Sequence, residues 1–149
     1  EDGTFEVITN KGTVHRAKAV AIAGGLGTFE PRKPVIDNIA DYEEKGVEYF
    51  IKEPEHFRGK KVVIAGGGDS ALDWSIFLAN IASEVTLIHR RNEFRGALDS
   101  VEKVQALKDQ GKIHLVTPAE VTGIKGEGKV SAITVRDQTA VCRVISSCH

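Results

Sequence analysis

The 149-residue sequence is poor in cysteine: it holds only Cys142 and Cys148, both near its C-terminal end. Their C-x5-C spacing fits no common metal or redox signature, so no metal site is expected. The expectation is two free thiols in a cytoplasmic protein, with a disulfide between them neither required nor excluded. No apolar run approaches the length of a membrane span, and the stretch EDGTFEV lacks the character of a signal peptide. A net charge of −1 gives no global pull toward nucleic acid or an anionic membrane, so any anion site must be local. Internal repeats and low-complexity segments are absent. What is present, 41% apolar and 28% charged residues, is ordinary for a soluble globular protein. The length suffices for one domain with a real core, or one domain plus a piece of another.

Residues 4–9 and 13–17 alternate apolar and polar around Asn10-Lys11-Gly12, predicting a β-hairpin. The apolar run 19–23, stopped by Gly24-Gly25, predicts a buried strand. Pro31 and Pro34 then break any regular pattern, so residues 24–45 read as loop or linker. Residues 46–51 are a short strand candidate, and 52–59 a polar connector with room for one helical turn. Next come a strand at 61–65, a helix from Asp69 or Ser70 to about Ile81, and a strand at 85–88. A helix at 98–110 closed by Gly111 follows, then a strand at 113–116 and a turn at 117–120. Residues 121–124 and 129–136 suggest a hairpin about Gly126-Glu127-Gly128, and beyond Arg136 the pattern fades. Strands alternating with helices predict an α/β fold: a Rossmann-like βαβ domain over 46–136 with a β-meander, preceded by strands and linker over 1–45 and followed by an atypical tail, 137–149.

Gly66-Gly67-Gly68-Asp69-Ser70-Ala71 matches G-x-G-x-x-A between a predicted strand and a predicted helix, the context that gives this motif its meaning. Gly66 allows a tight turn out of the strand. Gly68 lets the backbone approach a pyrophosphate, and Ala71 keeps helix and strand close. The helix N-terminus offers N–H groups and partial positive charge to phosphates, with Asp69 or Ser70 as its cap. Ala71, Leu72, Trp74, Phe77, Leu78 and Ile81 predict a broad apolar face packed on the sheet.

In an NAD-binding unit the second strand ends in a carboxylate that accepts from the ribose 2′-hydroxyl. Here that place holds His89, Arg90 and Arg91, with Arg95 four residues on and Glu93 only in the following turn. A carboxylate would repel a 2′-phosphate, whereas guanidinium groups bind one through paired hydrogen bonds. The pattern therefore predicts NADP(H) rather than NAD(H). His89 is assigned either to the phosphate, when protonated, or to stacking near the adenine.

GGGDSALD at 66–73 with SEVTLIHRRNEFR at 83–95 resembles the NADPH domain of the thioredoxin-reductase-like flavoproteins. That family includes thioredoxin reductases and bacterial-type ferredoxin/flavodoxin–NADP reductases. The resemblance spans residues 1–136, and it marks HRR-x-x-FR as the 2′-phosphate signature. AVAIAGGLG at 19–27 resembles the strand and loop by which the family's FAD domain leads into the NADPH domain, which makes 1–17 the tail of that FAD domain. Thioredoxin reductases of this type carry Cys-x-x-Cys shortly before the glycine turn; here residues 49–56 read YFIKEPEH, so dithiol chemistry is not expected. The phrases GLGTFEPRKP, EYFIKEPEHFRGKKVVI and GGGDSALDW resemble the ferredoxin–NADP reductase branch instead.

The resemblance implies the NADP(H)-binding domain of a reductase that moves hydride between NADPH and FAD, with ferredoxin or flavodoxin as electron partner. The family's flavin motifs do not occur in these 149 residues, so the expectation is a piece of a longer protein that alone neither holds FAD nor turns over. Apolar surface bared in such a piece leaves room for a homodimer. No residue reads as a general acid, base or nucleophile. The rival readings are a non-catalytic NADP(H)-sensing module and a thioredoxin-reductase-like domain without its cysteines.

Overall fold

In this computed structural model, residues 3–22, 33–137 and 142–146 are described. The chain divides into two units, Glu1–Arg32 and Lys33–His149. In the first, β1 (Phe5–Ile8) and β2 (Val14–Ala17) form the expected antiparallel hairpin, with Phe5 opposite Ala17 and Ile8 opposite Val14. The apolar run after it is a correction to the sequence reading: residues 19–22 form no strand and are exposed, Ile22 to 93%. A strand buried on both faces needs neighbours on both sides, and no described strand pairs with it. Residue 23 and the expected linker residues 24–32 lie outside the described residues.

The second unit begins with a three-stranded parallel sheet. β3 (Lys61–Ala65), α1 (Asp69–Leu78), β4 (Glu84–Ile88), α2 (Leu98–Asp109) and β5 (Ile113–Val116) follow in order, and the strands lie β3-β4-β5. β4 is central, with Val62 beside Val85 and Leu87 beside Leu115. Strand residues alternate between faces, and the sequence uses both. Val62, Ile64, Val85, Leu87, Ile113 and Leu115 meet Leu72, Leu78 and Val104 from the two helices. Val63, Ile88 and Val116 point the other way, into a second cluster with Ala119, Ile133 and Val135. Those partners come from β6 (Ala119–Lys125) and β7 (Ala132–Asp137), which form the expected antiparallel hairpin, with an irregularity between Val121 and Gly123. The unit is therefore helices, parallel sheet and antiparallel sheet in layers. Each fully buried Leu, Ile or Val of the central cluster contributes about 1.5–3 kcal/mol.

Several boundaries differ from the sequence reading. α1 buries Leu72, Ser75 and Leu78, while Phe77 is 50% exposed and meets Trp74 edge to face, so the broad apolar face is narrower than expected. The helix stops at Leu78 because Ile81 and Ala82 both turn back to the Leu78 carbonyl, and Gly59 then claims the carbonyl of Ile81. The expected turn at 117–120 is shorter, since β6 already starts at Ala119. Residues 142–146 form β8 (Cys142–Ser146), paired antiparallel with β7, where the sequence showed only a fading pattern. Residues 138–141 and 147–149, Cys148 among them, lie outside the described residues.

Residues 46–51 are not a strand; only an isolated bridge joins Glu43 and Val47. This segment wraps the β6–β7 hairpin rather than pairing with a neighbour. Ile36 and Ile39 are buried with Ile124. Asn38 Nδ2 donates to the Ile124 carbonyl at 2.9 Å, the Tyr42 hydroxyl to the Gly126 carbonyl at 2.9 Å, and the Val130 N–H to the Lys45 carbonyl at 2.9 Å. Residues 33–45 thus belong to the second unit, not to a linker preceding it. Tyr42→Phe, which deletes one part-buried hydrogen bond, is expected to lower stability by about 1 kcal/mol, read as a shift in the denaturation midpoint at unchanged slope.

Candidate functional site

Gly66, Gly67 and Gly68 leave β3 at its C-terminal end, directly beside the end of β4. Each glycine answers a different constraint. Gly66 adopts no positive φ; a Cβ there would come within 2.8 Å of the Ala71 Cβ, so it is the close approach of helix to strand that demands glycine. Its N–H donates to the Ile88 carbonyl at 3.0 Å. At Gly67 a Cβ would enter the imidazole of His89. At Gly68 a Cβ would meet nothing within 4 Å, and its φ of −101° and ψ of −179° are open to any residue. Neither conformation nor protein packing explains this glycine, but open space before a helix is what a phosphate needs.

Gly68 is the residue that caps α1, with its carbonyl accepting from Ala71 and Leu72 at 3.0 and 3.2 Å. The N–H groups of Gly67, Gly68, Asp69 and Ser70 donate to no described backbone group. They form a run of consecutive donors at the positive end of a ten-residue helix. The expected side-chain cap is corrected: neither Asp69 nor Ser70 caps the helix. Asp69 Oδ1 instead accepts from the Ala97 N–H at 2.7 Å.

The basic loop folds back onto this turn. The His89 N–H donates to the Val116 carbonyl at 3.1 Å and the Ala119 N–H to the His89 carbonyl at 2.9 Å, which fixes where β4 ends. The His89 ring stacks on Phe94 with centroids 5.3 Å apart and lies over Gly67. Its Nε2 is 3.1 Å from the Glu93 carbonyl; a carbonyl only accepts, so Nε2 carries a proton. Arg95 donates its backbone N–H to the Gly67 carbonyl at 2.8 Å. The side chains of Arg90, Arg91 and Arg95 are exposed, with no acidic partner among the described residues. Arg90 and Arg91 line a cavity of about 560 Å³ together with Pro118, Ala119, Glu120, Arg136 and Asp137.

All ten residues singled out from the sequence therefore gather at the C-terminal ends of β3 and β4. Sequence reasoning carried Phe94 only within the HRR-x-x-FR string and not as the partner of His89, and it missed Gly96, where a Cβ would enter the Leu72 side chain and come within 3.1 Å of Asp69 Oδ1, and Arg136, which reaches the cavity from another sheet. Gly96 directly after Arg95 was the one visible signal. No group of His, Cys, Asp and Glu suited to a metal occurs among the described residues. No described helix is long and apolar enough to cross a membrane.

Comparison with known proteins adds an independent line. A protein-family model described as "Pyridine nucleotide-disulphide oxidoreductase" matches residues 61–138. The chain is 67% identical over 145 residues to a ferredoxin–NADP reductase of Flavobacterium psychrophilum, covering 97% of this chain and 41% of that protein. It is 71% identical over 140 residues to the ferredoxin–NADP reductase of Flavobacterium johnsoniae, covering 94% and 40%. The chain thus spans about two fifths of the length of these curated relatives. Among solved structures, the thioredoxin reductase of T. acidophilum superimposes with a TM-score of 0.72 at 27% identity, over 99% of this chain and 47% of that one.

Proposed function

The chain belongs to the pyridine nucleotide-disulphide oxidoreductase family, and from that premise we propose that residues 61–137 are the NADP(H)-binding unit of a flavin-dependent ferredoxin–NADP reductase. The observation that carries this reading is the meeting of two half-sites. One is the run of N–H groups from Gly67 to Ser70, with no backbone partner among the described residues, before the open space at Gly68. The other is the set Arg90, Arg91 and Arg95, without an acidic partner among the described residues, on a loop whose Arg95 N–H is bonded to that turn. A dinucleotide with a 2′-phosphate presents anions at both.

The turn would hold the pyrophosphate through its N–H groups, with Ala71 seated against Gly66 so that the helix can reach it. Arg90, Arg91 and Arg95 would hold the 2′-phosphate. His89, its Nε2–H engaged by Glu93, acts as a wall under the nucleotide rather than through Nε2 as a phosphate ligand. The chain contributes binding and orientation; when bound, the nicotinamide supplies a hydride, chemistry that belongs to the cofactor. The full-length protein would add FAD as acceptor and, as the relatives' names suggest, ferredoxin as electron partner, in the cytoplasm. Residues 1–32 are read as the end of the FAD-binding domain.

Isothermal titration with NADP+ and NAD+ tests the reading: NADP+ is expected to bind at least about tenfold tighter. Equal affinity for the two would overturn it. Arg136, across the cavity from Arg90 and Arg91, adds long-range attraction from the rim. Arg136→Ala is expected to weaken NADP+ about threefold and NAD+ hardly at all, with a shallower salt dependence for NADP+.

A further inference from the structure

A carboxylate in the first turn of a helix built to receive phosphates is a liability: it repels the ligand that the helix dipole attracts. Asp69 stands in that position, and its contacts show where it is directed. Oδ1 accepts from the Ala97 N–H at 2.7 Å, reaching across to the residue that begins α2. One turn further along, Asp73 Oδ1 accepts from the Ser100 hydroxyl at 3.0 Å. Ala97 has no side chain able to cap α2, so two carboxylates of the neighbouring helix lie at its positive end instead. Gly96 lets the loop pass this closely, since a Cβ there would crowd Leu72 and Asp69. Two residues before Ala97, the Arg95 N–H is bonded to Gly67. The segment carrying Arg95 is thus tied to the glycine turn on one side and to Asp69 on the other.

We propose that the Asp69 side chain is a positioning group that fixes the Arg90–Arg95 loop against the glycine turn through the Ala97 N–H, so that preference for a 2′-phosphorylated adenosine depends on a side chain that does not touch the 2′-phosphate. The inference rests on the reading of that loop as a 2′-phosphate site. Its anchor half is independent of any ligand. Because the bond needs only an acceptor oxygen at Oδ1, the amide of asparagine replaces it while alanine does not.

The test compares wild type, Asp69→Ala and Asp69→Asn, titrated calorimetrically with adenosine 2′,5′-bisphosphate and with adenosine 5′-monophosphate. Asp69→Ala is expected to weaken the bisphosphate about fivefold more than the monophosphate, the loss of one exposed hydrogen bond's worth of order. Asp69→Asn is expected to keep the wild-type ratio. Hydrogen exchange without ligand is expected to speed up at the Ala97 and Arg95 amides in Asp69→Ala only. A wild-type ratio in Asp69→Ala, or a loss in Asp69→Asn equal to that in Asp69→Ala, overturns the proposal. A wild type with no preference for the bisphosphate overturns the 2′-phosphate reading itself. The exchange rates then still report separately whether the anchor exists.

Discussion

Replacing Arg90 and Arg91 together by alanine is expected to weaken NADP+ roughly a hundredfold while leaving NAD+ nearly unchanged. The magnitude follows from removing two charge-assisted contacts at about 1.5 kcal/mol each, the low end for hydrogen bonds to charged groups because both side chains are exposed. The selectivity follows from position. Both arginines follow β4, beyond the backbone bonds that fix His89, and neither supplies a bond to the glycine turn. Their truncation leaves the pyrophosphate half intact. No described acid pairs with either side chain, so removing them strands no buried charge, and the melting temperature should barely move. Added salt should erode wild-type NADP+ binding more than NAD+ binding and lose that difference in the variant. Calorimetry at two ionic strengths reads all of this, and equal losses for the two nucleotides would sink the 2′-phosphate assignment.

The parts of the fold legible in the sequence are those fixed by local pattern. β3, β4 and β5 are short, largely apolar runs, of which central β4 is buried on both faces, and each was expected within a residue of where it lies. The hairpin β6–β7 and the site turn were legible for the same reason: Gly66–Ala71 and Gly126–Gly128 carry short-range signals. What escaped depends on contacts distant in sequence. The segment 36–49 is held by Ile124, Gly126 and Val130, more than eighty residues away, and nothing local shows that it is wrapped rather than extended. The run 19–22 carries the apolar signature of a strand but has no described strand beside it. Strand β8 owes its form to β7, and its own mixed sequence gave no sign. Within the candidate site, residue types indicated which residues come together but not what each side chain contacts. Asp69 reads as a cap and is instead bonded to Ala97; His89 reads as a contact to the phosphate or to the adenine, and its ring is stacked on Phe94. The Asp69 cap was misread, and the Phe94 contact of His89 went unseen, because a side chain's nearest partner is set by how the loop returns.

Gly68→Asp is expected to abolish measurable dinucleotide binding, by on the order of a hundredfold or more for NADP+ and NAD+ alike, while the protein melts no lower than wild type. The two outcomes have opposite signs because the position has two masters. For the helix, Gly68 is the N-cap, with an extended conformation that aspartate adopts without strain. A carboxylate there can accept from free N–H groups of the first turn and complement the dipole, changing stability by only a few tenths of a kcal/mol in its favour. No neighbour lies within 4 Å of the new Cβ to object. For the ligand, the same carboxylate fills the space in front of those N–H groups, consumes donors meant for phosphate and adds a repelling charge. Because the pyrophosphate is common to both nucleotides, their affinity ratio should stay as in wild type among whatever binding survives, the reverse of the arginine variant. Thermal melting followed by titration separates the cases. Retained NADP+ affinity in a folded Gly68→Asp protein would mean that the open space before α1 is not where the phosphates lie.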